Sequence, residues 1–108
     1  MWYLTIQRWT GDRQKALSEL VEDHLAWMAE QLRAGNVLLA GPSADMELGI
    51  VVFRAENQAE ADELCRADPF VAAGYREFDL IAWDVHQLFG VNASRLPPRT
   101  GNSTGPGS

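Results

Sequence analysis

Apolar and polar residues alternate at the start of the chain, and this pattern changes to a helical one after a short break. Residues 2–9 (WYLTIQRW) alternate around β-favouring side chains, which predicts a strand. Gly11 and Asp12 interrupt that pattern. In residues 14–34 apolar side chains recur every three or four positions, which predicts an amphipathic helix. Gly35-Asn36 is a typical stop signal for such a helix.

The rest of the chain predicts two strands, a helix and a further strand, in the order β-β-α-β. In chain order they are a strand at 37–40, a buried strand at 48–54, a helix from an Asn57 N-cap to about Arg66, a compact unit at 68–74 and a long strand at 75–84. The full order, β-α-β-β-α-β, predicts an α+β fold of the ferredoxin-like type, with a four-stranded antiparallel sheet and two helices on one face. The uncovered face predicts a dimer that forms through the sheet, or a ligand pocket.

The 108 residues are enough for one domain with one core. We expect this domain to span residues 1–92 and to include a short C-terminal arm around 85–91, which we expect to contact a neighbouring subunit. Residues 93–108 are rich in Pro, Gly and Ser and predict a flexible tail.

The formal net charge of −6 and the absence of a basic cluster argue against nucleic acid and anionic membranes as partners. No apolar run approaches the length of a membrane span, and a single cysteine, Cys65, suits a reducing cytoplasm. We expect no cofactor, because there is no glycine-rich phosphate loop. We expect no metal, because the two histidines and the carboxylates are scattered.

Two residues are candidates for chemistry. His24 lies within the apolar stripe of the long helix, where it is either a core histidine with one hydrogen-bond partner or a proton-transfer group oriented by a carboxylate. Asp68 precedes Pro69, which is the pattern of an N-cap and explains the aspartate on structural grounds alone. Their spacing of 44 positions does not place them together.

Further residues are candidates for substrate binding. Arg8 and Arg76 lie at strand ends, where either is a surface charge or a partner for a substrate carboxylate. Ser43 is either a turn serine or a hydrogen-bond donor to substrate. Trp27 belongs to an unusually large tryptophan set that serves core and dimer packing or a pocket for a flat molecule. The predicted binding set is Arg8, Trp27, Ser43 and Phe70.

Four segments, taken together, resemble the YCII-related family over residues 2–84: His24-Leu25, Leu39-Ala40-Gly41-Pro42, Gly49–Phe53 and, most distinctively, Ala67–Gly74 (ADPFVAAG). The resemblance implies a ferredoxin-like fold that is usually dimeric. It also implies that His24 and Asp68 meet in a cleft as a His-Asp dyad.

These observations lead to two functional hypotheses. The first is a cofactor-independent acid–base enzyme of the isomerase, dehydratase or dehydrohalogenase type that acts on a small cyclic or aromatic metabolite. The second is a dimeric, non-catalytic protein that binds a small molecule or assists another enzyme. An open cleft beside His24 favours the first, and a histidine sealed by core side chains favours the second.

Overall fold

A computed structural model of the protein describes residues 1–88 and the backbone of residues 91–92. The predicted tail at 93–108 lies outside the described residues. The elements are β1 (Trp2–Trp9), α1 (Arg13–Arg33), β2 (Val37–Pro42), β3 (Leu48–Arg54), α2 (Gln58–Ala67), α3 (Pro69–Ala72), β4 (Arg76–Trp83), β5 (Gln87–Leu88) and β6 (Val91–Asn92).

The first four strands form one antiparallel sheet in the order β2-β3-β1-β4. Central strand β1 pairs with β3 on one side and β4 on the other, so that Thr5 lies between Val51 and Leu80. Helices α1 and α2 contribute side chains to the same face of this sheet. The ferredoxin-like α+β fold expected from the sequence is therefore confirmed.

Buried side chains from β1, β3 and α2 form the core between the sheet and the helices. The rings of Tyr3 and Phe53 stack with their centroids 5.7 Å apart, and Ala61 and Cys65 of α2 pack against them. Small residues on α2 let the helix approach the aromatic pair closely, so the core is thin and dense.

The helix ends follow the signals in the sequence. The Asp12 side chain accepts the Lys15 N–H at the start of α1, and Asn57 accepts the Glu60 N–H at the start of α2. Gly35 follows α1 with φ +80°, a left-handed conformation that glycine adopts without the steric cost of a Cβ atom.

The apolar stripe of α1 is only partly buried. Ala16 is buried and His24 is half-buried, whereas Leu17 and Leu25 are exposed. Both leucines line the wall of a cleft between α1 and the β2–β3 end of the sheet. Helix α1 stands away from the sheet there and leaves this space open, so its apolar stripe contacts both the core and the cleft.

The sheet face opposite the helices carries apolar side chains, among them Leu4, Ile6 and Ile81 at neighbouring positions. Ile81 and Trp83 are exposed on this face. Beyond the sheet, β5 pairs with β6 as a small antiparallel hairpin. Contact of this segment with a second subunit stays a prediction. Within the described residues, no helix is both long enough and apolar enough to cross a bilayer.

Phe53→Ala is expected to lower the free energy of unfolding by about 3–5 kcal/mol, because the ring is buried against Tyr3 and its loss leaves a cavity. Urea unfolding at one fixed protein concentration measures the change. Leu32→Ala on the exposed side of α1 is the control, with an expected change within about 0.5 kcal/mol. Equal losses in the two variants would contradict this placement of the core.

Candidate active site

His24 and Asp68 meet between α1 and the start of α3. The Nδ1 atom of His24 lies 2.9 Å from Oδ1 of Asp68, and the same oxygen accepts the Phe70 backbone N–H at 3.0 Å. The Asp68 side chain is 0% exposed, whereas that of His24 is 16% exposed. The carboxylate is thus held inside the protein, and the imidazole connects it to the surface.

Local sequence explains why Asp68 is held so firmly. The residue ends α2 and at the same time caps α3, with Pro69 occupying the first helical position. Gly74, at φ +84°, turns the chain from α3 into β4. The Thr10 hydroxyl donates to the Gly74 carbonyl at 3.2 Å, which ties this turn to the end of β1.

The Phe70 ring packs against two other rings of the site. It lies 4.7 Å from the His24 ring and 5.1 Å from the Trp9 ring, measured between centroids. Phe70 belongs to the predicted substrate-binding set, but only 1% of it is exposed, so little of its surface is available to a ligand. Its contact with the imidazole instead helps to fix the plane of that ring.

The hydrogen bond between the two residues defines the protonation pattern of the imidazole. A carboxylate oxygen that already accepts the Phe70 N–H accepts again from Nδ1–H of His24. In the neutral ring, Nε2 then carries the lone pair. Among the described residues Nε2 has no hydrogen-bond partner, so it is available to take a proton from a bound molecule.

His24 lines the cleft between α1 and the sheet, which has a volume of about 320 Å³. This volume is at the small end of the range for ligand pockets, and it suits a molecule of about one ring. One wall is made by apolar side chains of α1 and the other by the β2–β3 end of the sheet. The residues of these two walls include Leu17, Val21, Leu25, Met28, Ala40, Gly41, Pro42 and Met46.

The polar side chains of Arg76 and Gln7 also line the cleft that His24 borders. Arg76 donates from one terminal nitrogen to Oε1 of Gln7 at 2.9 Å, and its guanidinium carbon lies 4.0 Å from the Trp9 ring centroid. Burial lowers the pKa of the Arg76 guanidinium, while the nearby Asp68 carboxylate raises it. A guanidinium group stays protonated across the physiological range in either case.

Three residues predicted to bind substrate lie away from this cleft. Arg8 points to the opposite sheet face and pairs there with Asp79. Ser43 sits in the β2–β3 turn, where its hydroxyl donates to Asp45 at 2.6 Å and accepts the Leu48 N–H at 3.0 Å. Trp27 lines a separate apolar cavity of about 20 Å³. The structure therefore brings together His24, Asp68 and Phe70, but not Arg8, Ser43 or Trp27.

The sequence did not single out Gln7, and it pointed to Trp9 only as one of several tryptophans. It left Arg76 open as either a surface charge or a partner for a substrate carboxylate. The signal that points to Gln7 is its position in β1. Alternation places it on the buried side with Tyr3 and Thr5, where an uncharged amide needs a polar partner. To identify the partner of Gln7 on another strand, one must know how the strands pair and in which register, and the sequence does not show this.

No three His, Cys, Asp or Glu side chains in residues 1–88 are arranged to hold one metal ion.

The comparison with known proteins agrees with this architecture. The model of the YCII-related domain matches residues 1–84, which is most of the chain. The protein therefore belongs to the YCII-related family. No curated protein matches the chain.

Two solved structures match the chain, and the first of them supports the fold. One is 5-chloro-2-hydroxyhydroquinone dehydrochlorinase (TftG) from Burkholderia phenoliruptrix AC1100, in complex with 2,5-dihydroxybenzoquinone. It has a TM-score of 0.57 and 23% sequence identity, and the match covers 78% of this chain and 94% of that one. The other is protein Atu4242 from Agrobacterium tumefaciens, with a TM-score of 0.40, 14% identity, and coverage of 76% and 92%. At these identities the likeness shows the fold alone.

Cys65 lies below the site, in the wall of the small cavity that Trp27 also lines. Burial raises the pKa of its thiol to about 11, from an ordinary value of 9.0. The thiolate is the reactive form of cysteine, and at neutral pH this higher pKa makes it about a hundredfold rarer than in an ordinary thiol. A nucleophilic role for Cys65 is therefore disfavoured.

We expect iodoacetamide to alkylate Cys65 at least about tenfold more slowly in the native protein than in the urea-denatured chain, at the same mildly alkaline pH. Mass spectrometry of quenched samples gives both rates, and free glutathione under each condition corrects for the effect of urea on the reagent. Equal native and denatured rates would mean that the thiol is accessible and easily ionised.

Proposed function

We propose that the protein is a small-molecule acid–base enzyme of the isomerase or lyase type, in which His24 moves the proton and Asp68 orients His24. One observation carries this proposal. The Nδ1 atom of His24 is bound to a buried carboxylate at 2.9 Å, while its Nε2 atom has no partner among the described residues and the ring borders an open cleft. A sealed structural histidine would have no such access.

The chemistry follows from this arrangement. In a ketone, His24 Nε2 takes a proton from a carbon next to the carbonyl, and the electron pair of that C–H bond moves into an enolate. In a chlorinated hydroquinone, which has no carbonyl, His24 instead moves a hydroxyl proton to the chlorinated ring carbon, and that carbon loses chloride when a second hydroxyl group gives its proton to His24. Asp68 stabilises the imidazolium that results, as an oriented carboxylate does in other His-Asp pairs. The enolate then expels a halide ion, after which His24 releases its proton to solvent, or it expels a hydroxyl group, which takes the proton from His24 and leaves as water. In an isomerisation, His24 returns the proton to a different carbon.

The size of the cleft and one structural neighbour support a small cyclic or aromatic substrate. The neighbouring dehydrochlorinase is described with a bound 2,5-dihydroxybenzoquinone, a single-ring molecule. A cleft of about 320 Å³ with apolar side chains on α1 is of the right size for such a ring.

We further propose that the protein is located in the cytoplasm. The one thiol among the described residues, Cys65, is free and needs no oxidising compartment.

His24→Asn is expected to lower turnover by about 10²–10⁴-fold, because asparagine keeps a donor near the position of Nδ1 but has no counterpart of Nε2. Two assays measure this: chloride release from 5-chloro-2-hydroxyhydroquinone, and exchange of carbon-bound hydrogen with deuterated water in single-ring ketones, followed by NMR. Asp68→Asn is also expected to lose activity, since its amide no longer selects the Nδ1–H form of His24.

Circular dichroism of each variant checks that the fold is retained, because removing one partner of a buried pair also costs stability. Ser43→Ala, in the β2–β3 turn outside the cleft, is the control and is expected to keep full activity. Unchanged rates in His24→Asn would exclude the dyad as the proton-transfer group. If the wild-type protein binds single-ring ligands but catalyses neither reaction, the non-catalytic binding function is the better interpretation.

We also propose that the protein is a homodimer that buries the open sheet face. Leu4, Ile6 and Ile81 are neighbours on this face, and exposed Trp83 extends the apolar surface at its edge. Contiguous apolar surface of this kind is characteristic of interaction sites. A twofold axis through the sheet would cover it on both subunits at once.

Ile81→Arg is expected to convert the dimer to a monomer, because it places a charge within the proposed apolar interface. Leu32→Arg is the matched control, since both side chains are 50% exposed but Leu32 lies on α1. Sedimentation velocity over a wide range of protein concentration measures the change. A wild-type protein that is monomeric throughout, or an Ile81→Arg variant that stays dimeric, would rule out this interface.

A further inference from the structure

The charges that line the cleft are all positive in the described part of the chain. Arg13 and Arg76 are the charged side chains there, next to His24, and no carboxylate lines the cleft. This is unusual in a chain with 15 acidic and 9 basic residues. A cleft of this composition attracts anions even though the protein as a whole repels them.

Arg76 forms no salt bridge with a described residue, although the nearby Asp68 carboxylate attracts it. Its one hydrogen bond among the described residues goes to the neutral amide of Gln7, and its Nε atom is buried without a partner. No described carboxylate lies within 4.0 Å of it. An unpaired, partly buried guanidinium group is costly, so its retention next to the dyad calls for a ligand that completes it.

Two aromatic rings and a glycine position the guanidinium group without forming a salt bridge to it. Its carbon lies 4.0 Å from the Trp9 ring centroid and 4.8 Å from that of Phe70. On the other side, Gly49 leaves the necessary room, because a Cβ atom there would lie 3.2 Å from a terminal nitrogen of Arg76. The cation is therefore positioned in advance, as a recognition group must be.

Arg13 adds a second positive charge at the rim of the same cleft. Its nearest carboxylate is that of Glu47, at 3.9 Å, and both side chains are well exposed, so this pair is weak. Burial lowers the pKa of Arg76, the Asp68 carboxylate raises it, and the repulsion from the Arg13 guanidinium group lowers it. An anion bound beside Arg76 would relieve this repulsion.

We infer that the cleft takes a small, single-ring carboxylate, with Arg76 binding the carboxylate group and Arg13 adding attraction at the rim. A planar guanidinium group matches a carboxylate in shape and charge. The apolar wall of α1 then receives the ring, next to His24. Because the arginines border the same cleft as His24, this inference rests on the proposed function for its identification of the bound molecule as substrate.

The test compares binding of benzoate and a panel of related single-ring carboxylates with binding of the matching uncharged carboxamides, by isothermal titration calorimetry. The wild-type protein is expected to prefer carboxylates by about tenfold or more. Arg76→Met removes the charge and keeps an extended side chain, so it should abolish this preference and leave carboxamide binding unchanged. Arg76→Lys keeps the charge and should retain part of the preference.

Arg8→Met is the matched control, because Arg8 lies on the opposite sheet face and its loss should change neither affinity. Gly49→Ala is a second variant that keeps Arg76 but displaces its guanidinium group, and it should weaken carboxylate binding selectively. Circular dichroism confirms that each variant is folded. Two results would overturn the inference: no carboxylate preference in the wild-type protein, or equal losses for both ligand types in Arg76→Met and Arg76→Lys.

The same titration on His24→Asn separates this inference from the proposed function. Carboxylate preference should persist in that variant, since the ligand is held by Arg76 and no turnover is needed. If the wild-type protein shows the preference but catalyses neither reaction, the enzyme proposal fails and the anion site remains. If the wild-type protein has an activity that depends on His24 but shows no carboxylate preference, the carboxylate inference fails and the enzyme proposal remains.

Discussion

A buried carboxylate governs the layout of this protein. Asp68 is fully enclosed, and an ionised group in that position is tolerated only if hydrogen bonds compensate for the water it has lost. The backbone N–H of Phe70 provides one such bond from within the same turn, and the imidazole of His24 provides another from α1. The second Asp68 oxygen has no partner among the described residues, so these two bonds hold the carboxylate. The chain must bring α1, α2 and α3 together for that to happen.

The rings around the carboxylate follow from the same requirement. Phe70 comes directly after the Asp-Pro step, so the cap that secures Asp68 also directs this ring between His24 and Trp9. Arg76 begins the strand that leaves this turn, and it lies over the same two rings, Phe70 and Trp9. A short stretch of sequence thus contributes an orienting acid, a packing ring and a cation to one side of the cleft.

Much of the fold could be predicted from the sequence because its signals are local. Alternation predicted β1, the Asn57 cap predicted the start of α2, and Gly35 marked the end of α1. The contact between His24 and Asp68, in contrast, has no local signal in the sequence. Each residue had an adequate local explanation, and only the resemblance to a family predicted their contact.

Some residues have positions in the structure that local sequence patterns could not predict. Arg8 and Gln7 are neighbours in β1, and strand alternation sends them to opposite faces, but the choice of face depends on how the helices cover the sheet. Arg76 reaches Gln7 through the pairing of β1 with β4, which is fixed by tertiary register. Leu17 and Leu25 belong to the apolar stripe of α1, and the sequence does not show which part of that stripe faces a cleft, because a cleft wall and a core are equally apolar.

The double role of Asp68 as the end of α2 and the cap of α3 has a consequence for how this protein can diverge. A substitution of Asp68 alters two helix ends together with the position of the imidazole, so selection for folding restricts this residue whatever ligand is bound. The facing side is built from exposed residues of β2 and the following turn, including Ala40, Gly41, Pro42 and Met46, which contribute little to the core. New ligand preferences should therefore arise by drift along that strand and turn, while the chemistry on the helical side is inherited unchanged.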